Sequence, residues 1–303
     1  MITISEAFNQ LQNDKLLTFA VPVFILTVLA EWWLTREDKP NLYNRKDFWV
    51  SFWMGIITSI LELFPKVLGF MLLWYLHEIS PLRDVVVRQW WAWILLFFMD
   101  DFTYYWFHRG NHEVRLFWAG HVNHHSSEYL NFGTALRQGI GERFHKYFLW
   151  TWIAFLGFDP LMIFIMIGIN LFFQFWTHTE VVRKLPNWFE AIFNTPSHHR
   201  VHHASNIAYL DCNHAGVLII WDKMFSTFSP ETDNNRPVYG LTTNINTFNV
   251  ATVATHEYRN IWRDMKRATK WSDKLKYIFM PPGWSHDGED LRAKTLRRKL
   301  ANK

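Results

Sequence analysis

The chain has 303 residues, half of them hydrophobic, and it contains 18 tryptophans and 27 phenylalanines. This aromatic enrichment is typical of proteins that contact lipid, because tryptophan and tyrosine gather at membrane interfaces. The formal net charge of +4 is mild, and no basic array accompanies a nucleic-acid-reading motif. The single cysteine, Cys212, excludes an intrachain disulfide and a cysteine-based zinc or iron–sulfur site.

Three apolar stretches in the first 107 residues are candidates for membrane helices. Residues 16–34 are nearly uncharged and come close to the roughly 20 residues that cross a bilayer. The polar loop that follows is rich in lysine and arginine, so the positive-inside tendency places it in the cytoplasm. Residues 48–76 predict one kinked helix or a span followed by an interfacial piece, and residues 85–107 predict a further span.

A fourth apolar stretch, residues 144–176, is interrupted by turn residues at Leu156–Pro160. Each half is shorter than a full membrane span. The pattern favours a helical hairpin that enters and leaves on the cytoplasmic side. Residues 179–303 are soluble in character and end in a basic tail.

Nine of the 15 histidines lie in two short windows, residues 108–125 and 198–203. In a helix, residues three and four apart share a face, so one HxxxH set and two HxxHH sets are each expected to direct their rings at one point. Neutral imidazole binds iron, zinc, copper or nickel, and one such ion accepts only about four to six ligands. The pattern therefore predicts two metal ions in one pocket. The predicted ligands are His108, His112, His121, His124, His125, His199, His202 and His203.

Other residues are candidates for supporting roles. His178, His198 and His214 are possible additional ligands. Asp101 lies about two helical turns before the first predicted ligand, and Asp100 is its neighbour. Metal-bound histidines commonly donate their second N–H to a carboxylate, so both aspartates are expected to accept from histidine rings. The alternative is that they are ordinary carboxylates near the membrane interface.

An all-histidine site suits ferrous iron that must bind O2. Soluble di-iron proteins built on helix bundles use glutamates and Glu-x-x-His instead, and no Glu-x-x-His occurs among these sets. The nucleophile elbow, the P-loop and the dinucleotide-binding fingerprint are also missing from the sequence. We therefore expect an oxygenase that attacks an unactivated C–H bond of a membrane lipid.

Several motifs resemble the fatty acid hydroxylase (sterol desaturase) superfamily of membrane di-iron proteins, and most closely its alkylglycerol (glyceryl-ether) monooxygenase branch. They are DFTYYWFHR, HEVRLFWAGHVNHHSSEYLNFGTALRQ, QFWTHTEVV, NTPSHHRVHH and AGVLIIWDKMFSTF. The resemblance covers residues 97–228, and the superfamily's eight-histidine pattern falls on the eight ligands named above. His214 departs from it, because an aromatic tyrosine is usual there; this position is either an extra ligand or the mark of a shifted pocket.

The resemblance implies two iron ions, O2, and hydroxylation of the ether-linked carbon of an alkylglycerol, which yields a fatty aldehyde and glycerol. It implies tetrahydrobiopterin or an electron-donor protein as the source of electrons. Glu113 and Glu128 are the implied catalytic candidates, which would contact the substrate or the pterin. Two alternatives stay open: a hydroxylase or desaturase of another membrane lipid (a sterol, fatty acid or sphingolipid), and a non-redox zinc membrane protein.

The expected fold is an all-α integral membrane protein with four to five transmembrane or re-entrant helices. A cytoplasmic helical cap holds the di-metal site, in a bacterial inner membrane or the endoplasmic reticulum. The expected division is residues 1–107 for the N-terminal membrane helices, 108–143 for the first cap segment, 144–178 for the hairpin and 179–303 for the second cap segment with its tail. The expected partners are the bilayer, a lipid substrate and the electron donor, with no nucleic acid.

Overall fold

The computed structural model of the chain describes residues 15–39 and 41–302, and the regular elements of these residues are helices. Residues 1–14 of the expected N-terminal membrane region lie outside the described residues. Two short 3₁₀ turns occur at Thr134–Leu136 and Ile207–Tyr209. The α-helices are α1 Lys15–Thr35, α2 Arg45–Leu61, α3 Leu63–Glu78, α4 Trp90–Glu113, α5 Arg115–His125, α6 Glu142–Leu149, α7 Thr151–Phe155, α8 Pro160–Phe175, α9 Asn187–Glu190, α10 Pro196–His202, α11 Ile220–Met224, α12 Val250–Arg267, α13 Trp271–Phe279 and α14 Ala293–Ala301.

Side-chain caps fix where several of these helices begin. The Asn44 side chain accepts hydrogen bonds from two backbone N–H groups at the start of α2. Asp159 accepts from the N–H of Leu161, and Pro160 occupies the first turn of α8. Both features satisfy or remove N–H groups that a helix leaves without a partner. The turn predicted at Leu156–Pro160 is present and separates α7 from α8.

The predicted membrane spans correspond to helices, and the kink predicted in residues 48–76 is present as a break between α2 and α3. By length and composition, none of the helices in the described residues could cross a membrane alone; α2 and α3 could do so together, but they meet at a bend of 47°. The break follows Leu61, where buried Glu62 binds Arg143 and accepts from the N–H of Gly141 at 3.2 Å. A buried carboxylate with partners outside the helix explains why residues 48–76 do not form one continuous helix.

The third predicted span differs from the expectation. Its helix α4 begins at Trp90 and continues without a break through His108 and His112 to Glu113. The first histidine pair is therefore carried by the end of a long apolar helix. The main hydrophobic core surrounds the middle of α4 and joins it to α3, α6, α7 and α8. Its largest fully buried members include Phe70, Phe107, Trp150 and Phe158.

Buried polar residues attach the N-terminal helices to the histidine-bearing segments. Glu31 of α1 accepts from the N–H of Phe132 at 2.8 Å and binds the hydroxyls of Tyr43 and Thr179. Asp47 of α2 forms a buried ion pair with Arg137 at 2.9 Å. These contacts hold α1 and α2 against the loops that flank the histidines, an arrangement that hydropathy alone does not show.

Candidate metal centre

Nine buried histidines form two compact groups. In each group the ligand-capable nitrogens all lie within 4.8 Å of one another. The first histidine group is His108, His112, His121, His125 and His202. The second histidine group is His124, His178, His199 and His203.

Each HxxHH set is divided between the two groups. In α5, His121 and His125 belong to the first group, and the set's third residue, His124, belongs to the second. The set at α10 divides in the opposite sense, with His199 and His203 in the second group and His202 in the first. The expectation that each set aims at one point was therefore wrong. Around a helix, residue i+4 lies about 40° to one side of residue i, and residue i+3 lies on the other side. The rings at i and i+4 therefore point to one group, and the ring at i+3 points to the other.

The ring nitrogens face one another at the spacing that a shared ion requires. The Nε2 atoms of His124 and His178 are 3.1 Å apart, those of His178 and His199 are 2.9 Å apart, and those of His108 and His121 are 3.1 Å apart. Two nitrogens bound to one ion at about 2.0–2.1 Å, with octahedral to tetrahedral angles, are separated by about 2.8–3.4 Å. The nitrogen spacing therefore fits a metal ion in each group.

Hydrogen bonds to backbone carbonyls determine which nitrogen faces inward in four of the rings, those of His108, His124, His178 and His202. Nδ1 of His124 lies 3.1 Å from the carbonyl of Arg137, and Nδ1 of His178 lies 3.0 Å from the carbonyl of Gln174. A carbonyl only accepts, so each Nδ1 carries the hydrogen and each Nε2 presents a lone pair. Two lone pairs that face each other at 3.1 Å repel, and a cation between them removes the repulsion. The donor set thus fits a metal in its chemistry as well as its spacing.

Burial keeps these imidazoles in the form that binds metals. Burial lowers the pKa of His125 and His203 well below the usual value for histidine, and neighbouring histidines lower it further. These two rings are therefore neutral at pH 7, and neutral imidazole is the ligand form.

The three additional histidine candidates have different positions. His178 is a member of the second group. His198 lies outside both groups; its Nε2 is 3.8 Å from the carboxylate of Glu190. His214 is fully buried, with its ring centre 4.9 Å from that of His112, but its nitrogens do not join the first group. Neither ring nitrogen of His214 has a hydrogen-bond partner among the described residues.

The two predicted supporting aspartates bind groups other than histidine rings. Asp101 accepts from the backbone N–H groups of Val217 and Leu218, at 2.7 and 3.0 Å, and from the indole of Trp221. Asp100 accepts from the indole of Trp150 at 2.7 Å and from an asparagine on α8. Spacing along α4 predicted that Asp101 shares a face with His108. The Asp101 carboxylate instead accepts from N–H groups of the 211–218 loop.

The 211–218 loop supports the first group through its backbone. The carbonyl of His214 accepts from Nδ1 of His108 at 2.9 Å, and the carbonyl of Cys212 accepts from Nδ1 of His202 at 3.0 Å. Asp222 fixes the loop, because its carboxylate accepts from the N–H groups of His214 and Ala215, each at 2.8 Å. Asp101 and Asp222 therefore position two ligands through the intervening backbone.

Sequence reasoning missed the carboxylates that lie nearest the rings. Asp211 is 3.4 Å from Nδ1 of His112, and Glu142 is 3.7 Å from Nδ1 of His121. Glu142 begins α6, far from any histidine set, so spacing gave no signal for it. Asp211 has a φ of 51°, which is a left-handed backbone conformation. No pattern in the sequence predicted this conformation or the contact with His112.

The two catalytic candidates lie outside both groups. Glu113 pairs with Arg109 of the same helix at 2.8 Å and has a side chain that is 44% exposed. Glu128 is exposed in the segment that follows α5. Neither residue belongs to the sets of nitrogens and carboxylates that could hold a metal.

Comparison with known proteins adds a family to this geometry. The fatty acid hydroxylase model matches residues 93–227. Alkylglycerol monooxygenase of Danio rerio is 39% identical over 302 residues, which cover 94% of this chain and 66% of that protein. The Homo sapiens protein of the same name is 40% identical over 88% of this chain and 59% of its own length, and the Xenopus tropicalis protein is 47% identical over 64% and 43%. The chain thus spans less than two thirds of each of these relatives. No solved structure matches it significantly.

The matched domain contains all nine histidines of the two groups. The region that builds the site is therefore a fatty acid hydroxylase domain, at residues 93–227 of this chain.

Proposed function

We propose that the chain is a membrane-bound lipid monooxygenase that binds two iron ions and hydroxylates the ether-linked carbon of an alkylglycerol. The observation that carries the proposal is the pair of interlocked histidine groups, made only of buried imidazoles. Relatives 39–47% identical to this chain are named alkylglycerol monooxygenases, which supports the choice of substrate.

The chain's residues hold and shield the metal centre in this proposal. The first group would hold one ion and the second group the other. Iron bound there supplies the O2 chemistry that no amino-acid side chain provides. The rings are 3–7% exposed, so the surrounding helices exclude water from the ligand nitrogens. The carbonyls of Arg137 and Gln174, and those of the 211–218 loop, keep the lone pairs directed inward.

The proposed reaction balances with one two-electron donor. An alkyl ether R–CH2–O–R′, O2, two electrons and two protons give R–CH(OH)–O–R′ and water. The bond between the hydroxylated carbon and the ether oxygen then breaks, the hydroxyl proton moves to that oxygen, and the products are the aldehyde R–CHO and the alcohol R′–OH. The electrons come from reduced tetrahydrobiopterin or from an electron-donor protein. Glu113 and Glu128 lie outside the metal groups, and we propose that they contact the substrate or the donor.

The test is incubation of the iron-loaded protein in bilayers with an alkylglycerol, reduced pterin and ¹⁸O2. We expect a fatty aldehyde that carries one ¹⁸O atom when it is trapped at once by borohydride reduction. Labelled product from a sterol or fatty acid, with none from the ether lipid, would overturn the substrate. Two tightly bound zinc ions, with no O2 consumption after iron loading, would overturn the oxygenase.

A further inference from the structure

Helix α13 exposes large apolar side chains along one side. Trp271, Leu275 and Phe279 are 75%, 51% and 58% exposed. They are spaced by four residues, so they share one face of this nine-residue helix. Tyr277 lies on the opposite side and is buried. The helix is therefore anchored on one side and presents an unusually apolar surface on the other.

The preceding helix α12 exposes a further large aromatic side chain and adds positive charge. Trp262 is 61% exposed, and the ammonium nitrogen of Lys266 lies 5.0 Å from the centre of its ring. The ammonium nitrogen of Lys274 is likewise 5.0 Å from the ring centre of Trp271. Lys270 is exposed between the two helices. We call Trp262, Lys266, Lys270, Trp271, Lys274, Leu275 and Phe279 the aromatic–basic face.

The acidic residues of the two helices do not neutralise this face. Asp264 is bound to Arg115 at 2.8 Å, and Asp273 is bound to Lys276 at 3.2 Å. Glu257 likewise binds Arg115, at 2.7 Å. These carboxylates are held by cations of the fold, so the exposed charge is positive and complements an anionic surface.

The helix that carries part of this face also packs against a helix that is apolar enough for a membrane span. Val253 and Ala254, near the start of α12, form a buried cluster with Val50 and Met54 of α2. Together α2 and α3 have the length and composition of one broken span. Helix α12 thus leads from a candidate membrane helix to the aromatic–basic face.

We propose that the aromatic–basic face docks on the surface of an anionic lipid bilayer. Tryptophan and phenylalanine enter the boundary between headgroups and acyl chains, and the lysines bind lipid phosphates, as in interfacial amphipathic helices. This docking does not depend on the reaction proposed above, because it requires only the surface and the bilayer.

The test measures where one residue of the face lies in a reconstituted bilayer. Leu275→Cys receives a spin label in the full chain, in vesicles of neutral lipid and in vesicles with anionic lipid added. Buried Cys212 makes the unmodified chain the blank for labelling. Asn234→Cys, in an exposed polar turn, is the matched control. The measured quantity is the rate at which the spin label collides with O2, which concentrates in lipid, compared with its collision rate with a water-soluble nickel chelate.

We expect the label at residue 275 to favour O2 over the nickel chelate, and the control to favour the chelate. Lys270→Glu with Lys274→Glu should remove the extra protection that anionic lipid gives, because each basic residue near such a surface contributes roughly fivefold to its binding. Equal chelate access at residues 275 and 234 in both vesicle types would overturn the proposal. Protection from both reagents together with spin–spin coupling between chains would also overturn it, because a second copy would then cover the face. Unchanged circular dichroism shows that the variants fold.

Discussion

The two histidine groups use the same ligand type, yet different parts of the chain support them. In the first group, His108 and His202 donate to carbonyls of the 211–218 loop, which Asp101 and Asp222 hold in place. In the second group, the rings that donate to backbone carbonyls use Arg137, beside the buried pair with Asp47, and Gln174 in α8. Because the supporting residues differ, we expect that a change in the support of one group weakens metal binding by that group and leaves the other group unaffected.

The surrounding charge also differs between the groups. Carboxylates lie near rings of the first group, with Asp211 at 3.4 Å from His112 and Glu142 at 3.7 Å from His121. Only Asp211 is within hydrogen-bond distance, and a carboxylate that accepts from a ligating histidine raises the basicity of that ligand. We therefore expect the first group to be the more electron-rich of the two centres.

The largest expected effect breaks either group outright. His202→Ala removes a ring of the first group and His124→Ala a ring of the second, so each variant should lose the metal of its own group. Activity should fall by more than the roughly 10- to 100-fold that loss of an outer partner costs. Metal content per chain by mass spectrometry checks the prediction. His286→Ala is the control, because His286 binds the hydroxyl of Tyr277 and belongs to neither group. Full metal content in the first two variants would refute the assignment.

The next effect tests the support of the second group. Arg137→Met leaves Asp47 buried without its cation, and breaking a buried ion pair costs about 3–5 kcal/mol of unfolding free energy. The double variant Arg137→Met with Asp47→Leu should recover much of this loss, since no unpaired charge is left. Denaturant unfolding in detergent measures both. Equal stability of the single variant and the parent would show that the pair contributes nothing.

A smaller effect should fall on the first group alone. Asp222→Asn replaces one accepting oxygen with a donor that faces a backbone N–H, so the 211–218 loop shifts beneath two ligands. The metal affinity of the first group should fall roughly 10- to 100-fold while that of the second group is unchanged. Metal titration of the two sites measures this. Asp100→Asn is the matched control, because the donors to Asp100 are Trp150 and Asn170, outside the loop. Equal weakening of both sites would contradict separate support.

The smallest effect concerns a residue outside both groups. Glu113→Gln breaks a partly exposed ion pair with Arg109, which is worth at most about 1 kcal/mol of stability. Both metals should stay bound, and a rise in KM for the lipid is expected if this carboxylate meets the substrate. The KM for the lipid and the metal content per chain, both measured on the same preparation, test this prediction. Loss of metal from this variant would place Glu113 in the centre after all.

The predicted ligands show what spacing reveals and where it stops. Eight of the nine grouped histidines were among the ligands predicted from repeated short intervals. Their allocation to two groups could not be predicted, since it depends on the rotation of α5 and α10 relative to each other. His178 had only its place between the histidine windows as a signal, and it enters the second group because α8 ends beside α10.

The supporting residues were less accessible to sequence reasoning than the ligands. Asp101 was noticed from its helical spacing, but it binds the 211–218 loop, more than 100 residues away in the chain. Glu31 lies in a nearly uncharged run, and nothing in that run indicated that its carboxylate joins α1 to residues 132 and 179. Long-range pairing of this kind depends on which loops come into contact, and the local sequence pattern does not predict those contacts.

The sequence by itself determined the helices, the turn at Leu156–Pro160 and the chemical type of the ligands. Hydrophobic periodicity, turn residues and histidine spacing are local signals, because each depends on residues only a few positions apart. Only the tertiary structure decided how the rings divide into two groups, which carbonyls and carboxylates orient them, and which apolar faces stay exposed. Those outcomes depend on contacts between segments far apart in the chain, whose free energies appear only when the helices pack.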